Sequence, residues 1–343
     1  MVRNPRKSAA AYTQVCVRNS AGEIVDEQRL LTRTLPAYLE CRPPGRVIVE
    51  TCGQSFLVAE AARAAGHQVR IVSATLVRAL GVGARRTKND RRDAQALSEA
   101  SCRMDLPSVH IPSAESRSRK TACGMRDALV SARTQLINTV RGWMRGQGIR
   151  VASGNADTFH LRVRKAVPDP PSYVARQLDA LDALTKGIDD ADEEMERLAK
   201  ADPVCTRLMT LPGVGPVTSL RFVSTLDRIE RFPSAHHVQA YLGLTPGERS
   251  SGDRQQRTGI TKAGSPPMRW TLVQSAWCIR RVRRQDPMVV WSQEVEKRRG
   301  KRVATTALAR KIAGVLFAMW RDGTVYNPAR GAAHAKELVT DAA

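Results

Sequence analysis

The sequence predicts an α/β N-terminal domain, a helical coiled-coil connector and a mainly helical C-terminal domain. Three observations carry this. Residues from about 11 to 73 alternate strand-like and helix-like segments. Two long stretches then place apolar residues in steps of four and three, the spacing of a coiled-coil seam. From about residue 205, short helical stretches follow one another around Gly/Pro-punctuated turns and a polar loop. The corresponding boundaries are 1–112, 113–203 and 204–328, with 329–343 expected to be a disordered tail.

Taken in order, "YTQVCVRN" and "EIVDEQRLLT" flank "SAG", a hairpin with a glycine turn. "RVIVE" reads as a short buried strand ending at Glu50. "SFLVAEAARAAGH" has helical periodicity closing near Gly66, and "QVRIVS" is a further strand. The first seam runs through Met125, Leu129, Ala132, Leu136, Val140 and Trp143. The second runs through Leu178, Leu181, Leu184, Ile188, Ala191, Met195 and Leu198. The two could pair within one chain or between subunits. A basic, Pro-bearing segment, "RVRKAVPDPPSY", separates them. The last helix is expected near "TTALARKIAGVLFAMW".

The formal net charge of +22 over 343 residues points to a polyanionic partner, nucleic acid before an anionic membrane surface. No run of eighteen apolar residues is present, so no membrane span is expected, and the N-terminus lacks the apolar core of a signal peptide. The seven cysteines show no C-x-x-C pair and read as reduced core thiols, with the cytoplasm as default; a nucleic-acid partner would make the protein nucleoid-associated.

Two groups of residues suggest chemistry. In "RRTKNDRRDAQAL", Asp90 and Asp93 share a helix face among Arg85, Arg86, Lys88, Arg91 and Arg92. They read either as a solvated face with intrahelical ion pairs or as hard oxygen ligands for Mg²⁺, with arginines gripping phosphate. Glu50 favours the second reading, because strand-end carboxylates in open α/β sheets face the site crevice. A strand-end acid followed by a helical acid pair in such a domain suggests a ribonuclease H-like nuclease fold. The second group is "GERSSGDRQQRTGITKAG". Here Ser250 and Ser251 precede Gly252, flanked by Arg249, Arg254, Arg257 and Lys262. A serine can attack a phosphodiester where cations stabilise the developing charge; the alternative is a flexible polar turn. Upstream, Gly213 and Gly215 in "LPGVGPVTSL" suit either a phosphate-binding helix-hairpin-helix turn or a simple helix–helix turn.

In order and spacing, "RVIVETCGQSF", "GHQVRIVSATLVRAL", "RRTKNDRRDAQALSE", "LMTLPGVGPVTS", "RFPSAHHVQAYLGLTPGERSSG" and "RTGITKAGSPPMRWTLVQSAW" resemble the IS-one-ten family of insertion-sequence transposases. This is the DEDD class that includes Piv-type invertases. The resemblance implies a RuvC-like N-terminal domain, a coiled-coil connector and a serine-bearing C-terminal transposase domain. It implies an Asp, Glu, Asp, Asp metal set holding Mg²⁺, with Glu50 second and Asp90 and Asp93 third and fourth. It implies Ser251, directly before a glycine, as the nucleophile forming a transient serine–DNA phosphodiester, with Ser250 the weaker candidate. It also implies DNA and a structured guide RNA as partners, and a homo-oligomer, dimer or tetramer, whose site is assembled between subunits. One position departs from the pattern. Asn4, three residues before Lys7, stands where the first aspartate falls, and "MVR" replaces the apolar residues ahead of it. Either the reading frame begins upstream of Met1 or this copy has lost a ligand, and weak Mg²⁺ binding is expected of the chain as it stands.

Overall fold

The computed structural model describes residues 12–79, 90–249 and 256–329. Asn4, Ser250, Ser251, Arg254 and the expected tail beyond residue 329 lie outside them. The chain divides into two compact units, Met1–Ile111 and Pro112–Ala343.

The first unit is mixed α/β. Strands β1 (Tyr12–Arg18) and β2 (Ile24–Leu31) form an antiparallel hairpin. Its turn uses Gly22 at φ +83°, a conformation glycine reaches without steric cost. Helix α1 (Leu35–Glu40) leads to β3 (Arg46–Glu50). Helix α2 (Ser55–Ala64) ends at Gly66, also left-handed, and returns the chain to β4 (Gln68–Val72), which pairs in parallel with β3. This is a strand–helix–strand crossover. Helices α3 (Ala74–Ala79) and α4 (Asp90–Arg103) complete the unit. One small core joins Leu35, Leu39 and Ala62, and another joins Val72, Val77, Leu97 and Leu106. The strand "RVIVE" was expected to be buried. Instead Val47–Val49 are half-buried and both ends exposed, because among the described residues β3 pairs with β4 alone.

The second unit begins with α5 (Ala114–Gly146), about 50 Å long at about 1.5 Å per residue. Ser113 caps it through the Ser116 N–H. After α6 (Phe159–Ala166), α7 (Ser172–Ala201) runs back along α5. The two seams therefore meet within one chain. On α7 the expected residues Leu178, Leu181, Ile188 and Met195 are buried. On α5 the buried positions are Cys123, Ile137, Val140 and Met144, whereas Met125 is 67% exposed. Val140 is buried as expected, Leu136 and Trp143 pack against the same core, and Leu129 and Ala132 are half-buried, so the α5 seam departs from expectation at Met125. There Arg126, next in sequence, pairs with Asp192 of α7, and Asp127 pairs with Arg221.

The rest of the unit comprises α8 (Pro203–Leu208), α9 (Pro216–Leu226), α10 (Ala235–Tyr241), strands β5 (Pro246–Glu248) and β6 (Arg257–Ile260), α11 (Pro266–Val282), α12 (Pro287–Arg299) and α13 (Lys301–Asp322). The expected boundary near residue 203 falls inside this unit, where Met195 and Ala199 of α7 share a core with Cys205, Leu208, Leu220 and Phe222. Arg221 of α9 is buried; its Nη2 donates to both carboxylate oxygens of Asp127, at 2.7 and 2.8 Å, and its Nη1 donates to Thr271 Oγ1 at 2.8 Å. It ties α5, α9 and α11 together. Helix α13 is long and apolar enough to cross a membrane by length and composition. Its Leu308, Ile312, Leu316 and Phe317 instead fill the core of this unit. Of the seven cysteines, Cys123 and Cys205 are buried as expected, but Cys41, Cys52 and Cys102 are exposed.

Candidate functional site

In the first unit, α4 carries the acid pair. Taking Leu97 as reference and about 100° per residue, Asp90, Asp93 and Ala100 lie within about 60° of it. Leu97 and Ala100 pack against Ile48 of β3 and Val72 of β4. The core-facing stripe of α4 therefore starts with two carboxylates. Asp90 is exposed and Asp93 half-buried.

The direction of α4 follows from contacts at two points: Leu97 shares a core with Val72, the β4 partner of Glu50, and Ser101, four residues on, meets Arg46 at the other end of β3. Arg46, the first residue of β3, donates to the Ser101 carbonyl near the end of α4 at 3.0 Å. From Ser101 back to Asp90 is about 16 Å of helix, and from Arg46 to Glu50 is about 13 Å of strand. The helix runs against the strand, so its N-terminal acids and exposed Glu50 come toward the same end of the unit. Glu50 is continued by Thr51, whose N–H donates to the Val72 carbonyl at 2.9 Å. The helix N-terminus also favours nearby negative charge, which suits Asp90 and Asp93 without any ligand.

As a test of fit, these three acids supply the hard oxygen donors that Mg²⁺ takes. Among the described residues, however, no group of three or more His, Cys, Asp or Glu side chains is gathered closely enough to cage a metal.

The arginines divide. The Arg91 guanidinium is paired with Glu27 of β2, and Gln95 Nε2 donates to the same carboxylate at 2.7 Å. The Arg91 hydrogen bond, opposed by desolvation and aided by Gln95, holds Glu27 below the usual carboxylate range. Arg18 Nε donates to Ser98 Oγ at 3.0 Å. Arg91 therefore docks α4 on the hairpin, while Arg92 is exposed.

In the second unit, the backbone pair Arg249 N–H to Gln256 carbonyl, 2.9 Å, closes β5 and β6 around residues 250–255, which carry both serines. The base of this hairpin is packed backbone to backbone. Gly243 has φ +69°, and a Cβ there would stand 2.6 Å from the Ala263 nitrogen. A Cβ on Gly264 would stand 2.1 Å from the Tyr241 carbonyl oxygen. Between them Lys262 is exposed and holds φ +57°, a left-handed conformation uncommon for a residue with a Cβ. Arg269 of α11 donates to the Leu242 carbonyl at 3.2 Å and also to that of Gly264. The loop is thus mounted on a rigid base joined to the start of α11. His237 accepts or donates at 2.9 Å to Ser234 within its own helix turn.

Gly213 and Gly215 do different work. Gly213 has φ +88°, and a Cβ there would lie 2.7 Å from the Ser275 carbonyl oxygen, so this glycine lets the turn press on α11. Gly215 is the N-cap of α9 and has open space around it. Beside it, a cavity of about 300 Å³ is lined by Pro216, Val217, Asp189, Asp192, Glu193 and Glu196. Of these acids, Asp192 is paired with Arg126 and Glu196 with Lys200.

Sequence reasoning missed two features of this unit. One is Arg221, whose arginine in an otherwise apolar helix was the available signal. The other is the outer face of α11, where Trp270 is 59% and Trp277 36% exposed. A seven-residue repeat of tryptophan that leaves both outside the core was the signal there.

Two family profiles match. One, described as "Transposase IS116/IS110/IS902 family", matches residues 205–288, and a DEDD transposase profile of the IS110 type matches residues 9–147. Among curated proteins, a putative transposase, y4pF/y4sB, of Sinorhizobium fredii is 30% identical over 324 residues, covering 92% of this chain and 83% of the relative. A probable family 20 transposase of Pseudomonas aeruginosa is 30% identical over 315 residues, 89% of this chain and 92% of the relative. The transposase for insertion sequence element IS1111A of Coxiella burnetii is 27% identical over 315 residues, 89% and 86%.

Proposed function

Because this chain belongs to the IS116/IS110/IS902 family of transposases, we propose that it cuts and rejoins DNA strands at an insertion sequence through a serine–DNA intermediate. The observation that carries the reading is the likeness along nearly the whole chain, with the carboxylate-bearing and serine-bearing regions matched in order.

Ser251 is the proposed nucleophile. Its oxygen bonds to phosphorus as one phosphorus–deoxyribose oxygen bond breaks. The hydroxyl proton is lost, the departing oxygen takes one up, and the phosphodiester count is unchanged until a second strand end reverses the step. Arg249, Arg254 and Lys262 are proposed to hold the phosphate oxygens, with Arg92 gripping the backbone near the first unit. The rigid base at Gly243 and Gly264 supports this role, because a nucleophile must be held close to its phosphorus. Glu50, Asp90 and Asp93 would hold Mg²⁺ in a RuvC-like unit, and the ion would offset negative charge on the phosphate. The antiparallel course of α4 along β3 supports this assignment. Guidance by an element-encoded RNA and assembly as a homo-oligomer complete the proposal.

The test is covalent capture. DNA incubated with the protein and then denatured should carry the chain, Ser251→Ala should abolish the adduct, and Ser250→Ala should retain it. Capture by Ser251→Ala would refute the assignment. A second reading, a DNA-binding remnant without strand exchange, is favoured by Asn4 where a carboxylate is expected. Robust recombination that is equal in the chain and in Asn4→Asp would eliminate that reading.

A further inference from the structure

We propose that the outer face of α11 is a stacking track for unpaired DNA, an inference that rests on the transposase reading. Trp270, Gln274, Trp277 and Arg281 are all exposed. At about 100° and 1.5 Å per residue they fall within about 60° of one another along about 16 Å of helix. Two tryptophans about 10 Å apart along the helix, Trp270 more exposed than Trp277, are costly for a soluble surface and suited to bases, since every base has a π-face.

The charge around them selects the occupant. The segment Pro266–Val282 contains Arg269, Arg280 and Arg281 and no Asp or Glu. Lys301 Nζ stands 5.2 Å from the Trp277 ring centroid and the Arg280 guanidinium 5.8 Å. Arg280 is fixed by Ser292 and by an ion pair with Glu296, so that carboxylate is already neutralised. Beyond them, Arg283, Arg284, Lys297, Arg298, Arg299 and Arg302 are exposed. An aromatic stripe edged by cations fits a strand that offers bases to the rings and phosphates to the ammonium and guanidinium groups.

Position selects DNA. The stripe starts at Trp270, one residue beyond Arg269, which clamps the base of the serine-bearing hairpin. A strand held near the described base of that hairpin passes close to the start of α11, and the stripe of about 16 Å spans a few nucleotides of it.

The experiment measures anisotropy of a labelled, unstructured 20-nucleotide DNA on the full chain carrying Ser251→Ala, so that binding is read without chemistry. The matching duplex and the RNA of the same sequence form parallel arms. Trp270→Ala and Trp277→Ala should each weaken single-stranded DNA binding about tenfold, with Trp270→Phe and Trp277→Phe within about threefold. Duplex binding should stay within about twofold, and the salt dependence should not change. Unaltered single-strand affinity, an equal loss on duplex, a loss confined to RNA, or a changed oligomeric state with DNA affinity intact would each overturn the proposal. The Phe variants keep the test decisive if an Ala variant folds poorly. Covalent capture, measured separately with Ser251 in place, distinguishes failure here from failure of the transposase reading.

Discussion

Replacing Lys311 by methionine should stabilise the second unit at neutral pH. Lys311 sits in α13 at 5% exposure, its Nζ has no hydrogen-bond partner among the described residues, and its ammonium lies 4.7 Å from the Trp291 ring centroid. Burial, partly offset by Asp286, lowers its pKa from 10.5 to about 8. That fall corresponds to about 3 kcal/mol, and the ring contact returns about 1, leaving about 2 kcal/mol of net cost for the charge at pH 7. The folded pKa lies below the unfolded value, so between pH 8 and 10.5 the unfolded chain binds more protons and stability rises with pH. Lys311→Met removes the charge while keeping the volume. Its gain should therefore be about 2 kcal/mol at pH 7 and largely gone at pH 10.5. Urea unfolding followed by tryptophan emission is a suitable assay, because Trp143, Trp270, Trp277, Trp291 and Trp320 all lie in the second unit. A gain that is absent at pH 7, or present equally at both pH values, would refute the reasoning.

Other expectations follow from the same geometry. Asp127→Ala leaves buried Arg221 with Thr271 and without its carboxylate, and should lower unfolding free energy by about 2–3 kcal/mol in the same assay. Gly264→Ala drives a methyl into the Tyr241 carbonyl and should cost more than about 2 kcal/mol; an unchanged melting temperature would contradict the packing at the hairpin base. If Arg249 and Lys262 contact phosphate, alanine at either should weaken DNA binding alike across sequences. Each should also reduce the slope of log affinity against log salt by about 1, measured by titration at several salt concentrations.

The hairpin, the strand–helix–strand crossover and the α7 seam were legible because period and turn chemistry act locally: Gly22 and Gly66 sit at left-handed positions, and Leu178, Leu181, Ile188 and Met195 are buried at coiled-coil spacing. The α5 seam departs from expectation at Met125, because an apolar count passes over Arg126 and Asp127, whose ion pairs depend on partners distant in sequence. The basic surplus suggested phosphate contacts but did not show that Arg91, exposed like Arg92, pairs with Glu27 of the hairpin. The acid pair on α4 was readable as a helix face. Its orientation toward Glu50 depends on how α4 crosses β3, which Arg46 and Ser101 reveal. Trp270 and Trp277 were passed over because tryptophan in a helix usually marks a core.

The late position of α13 in the chain has a consequence for synthesis. Leu308, Ile312, Leu316 and Phe317 complete the core that supports the serine-bearing hairpin. Residues 1–111 form a separate unit and can fold while translation continues. The second unit must wait until the ribosome has delivered nearly all of the chain. A copy of the gene cut short by a nonsense codon or frameshift between residues 112 and 300 would yield a complete first unit beside an unclosed second one. Under the transposase activity proposed above, this order of assembly would couple strand cutting to an intact reading frame.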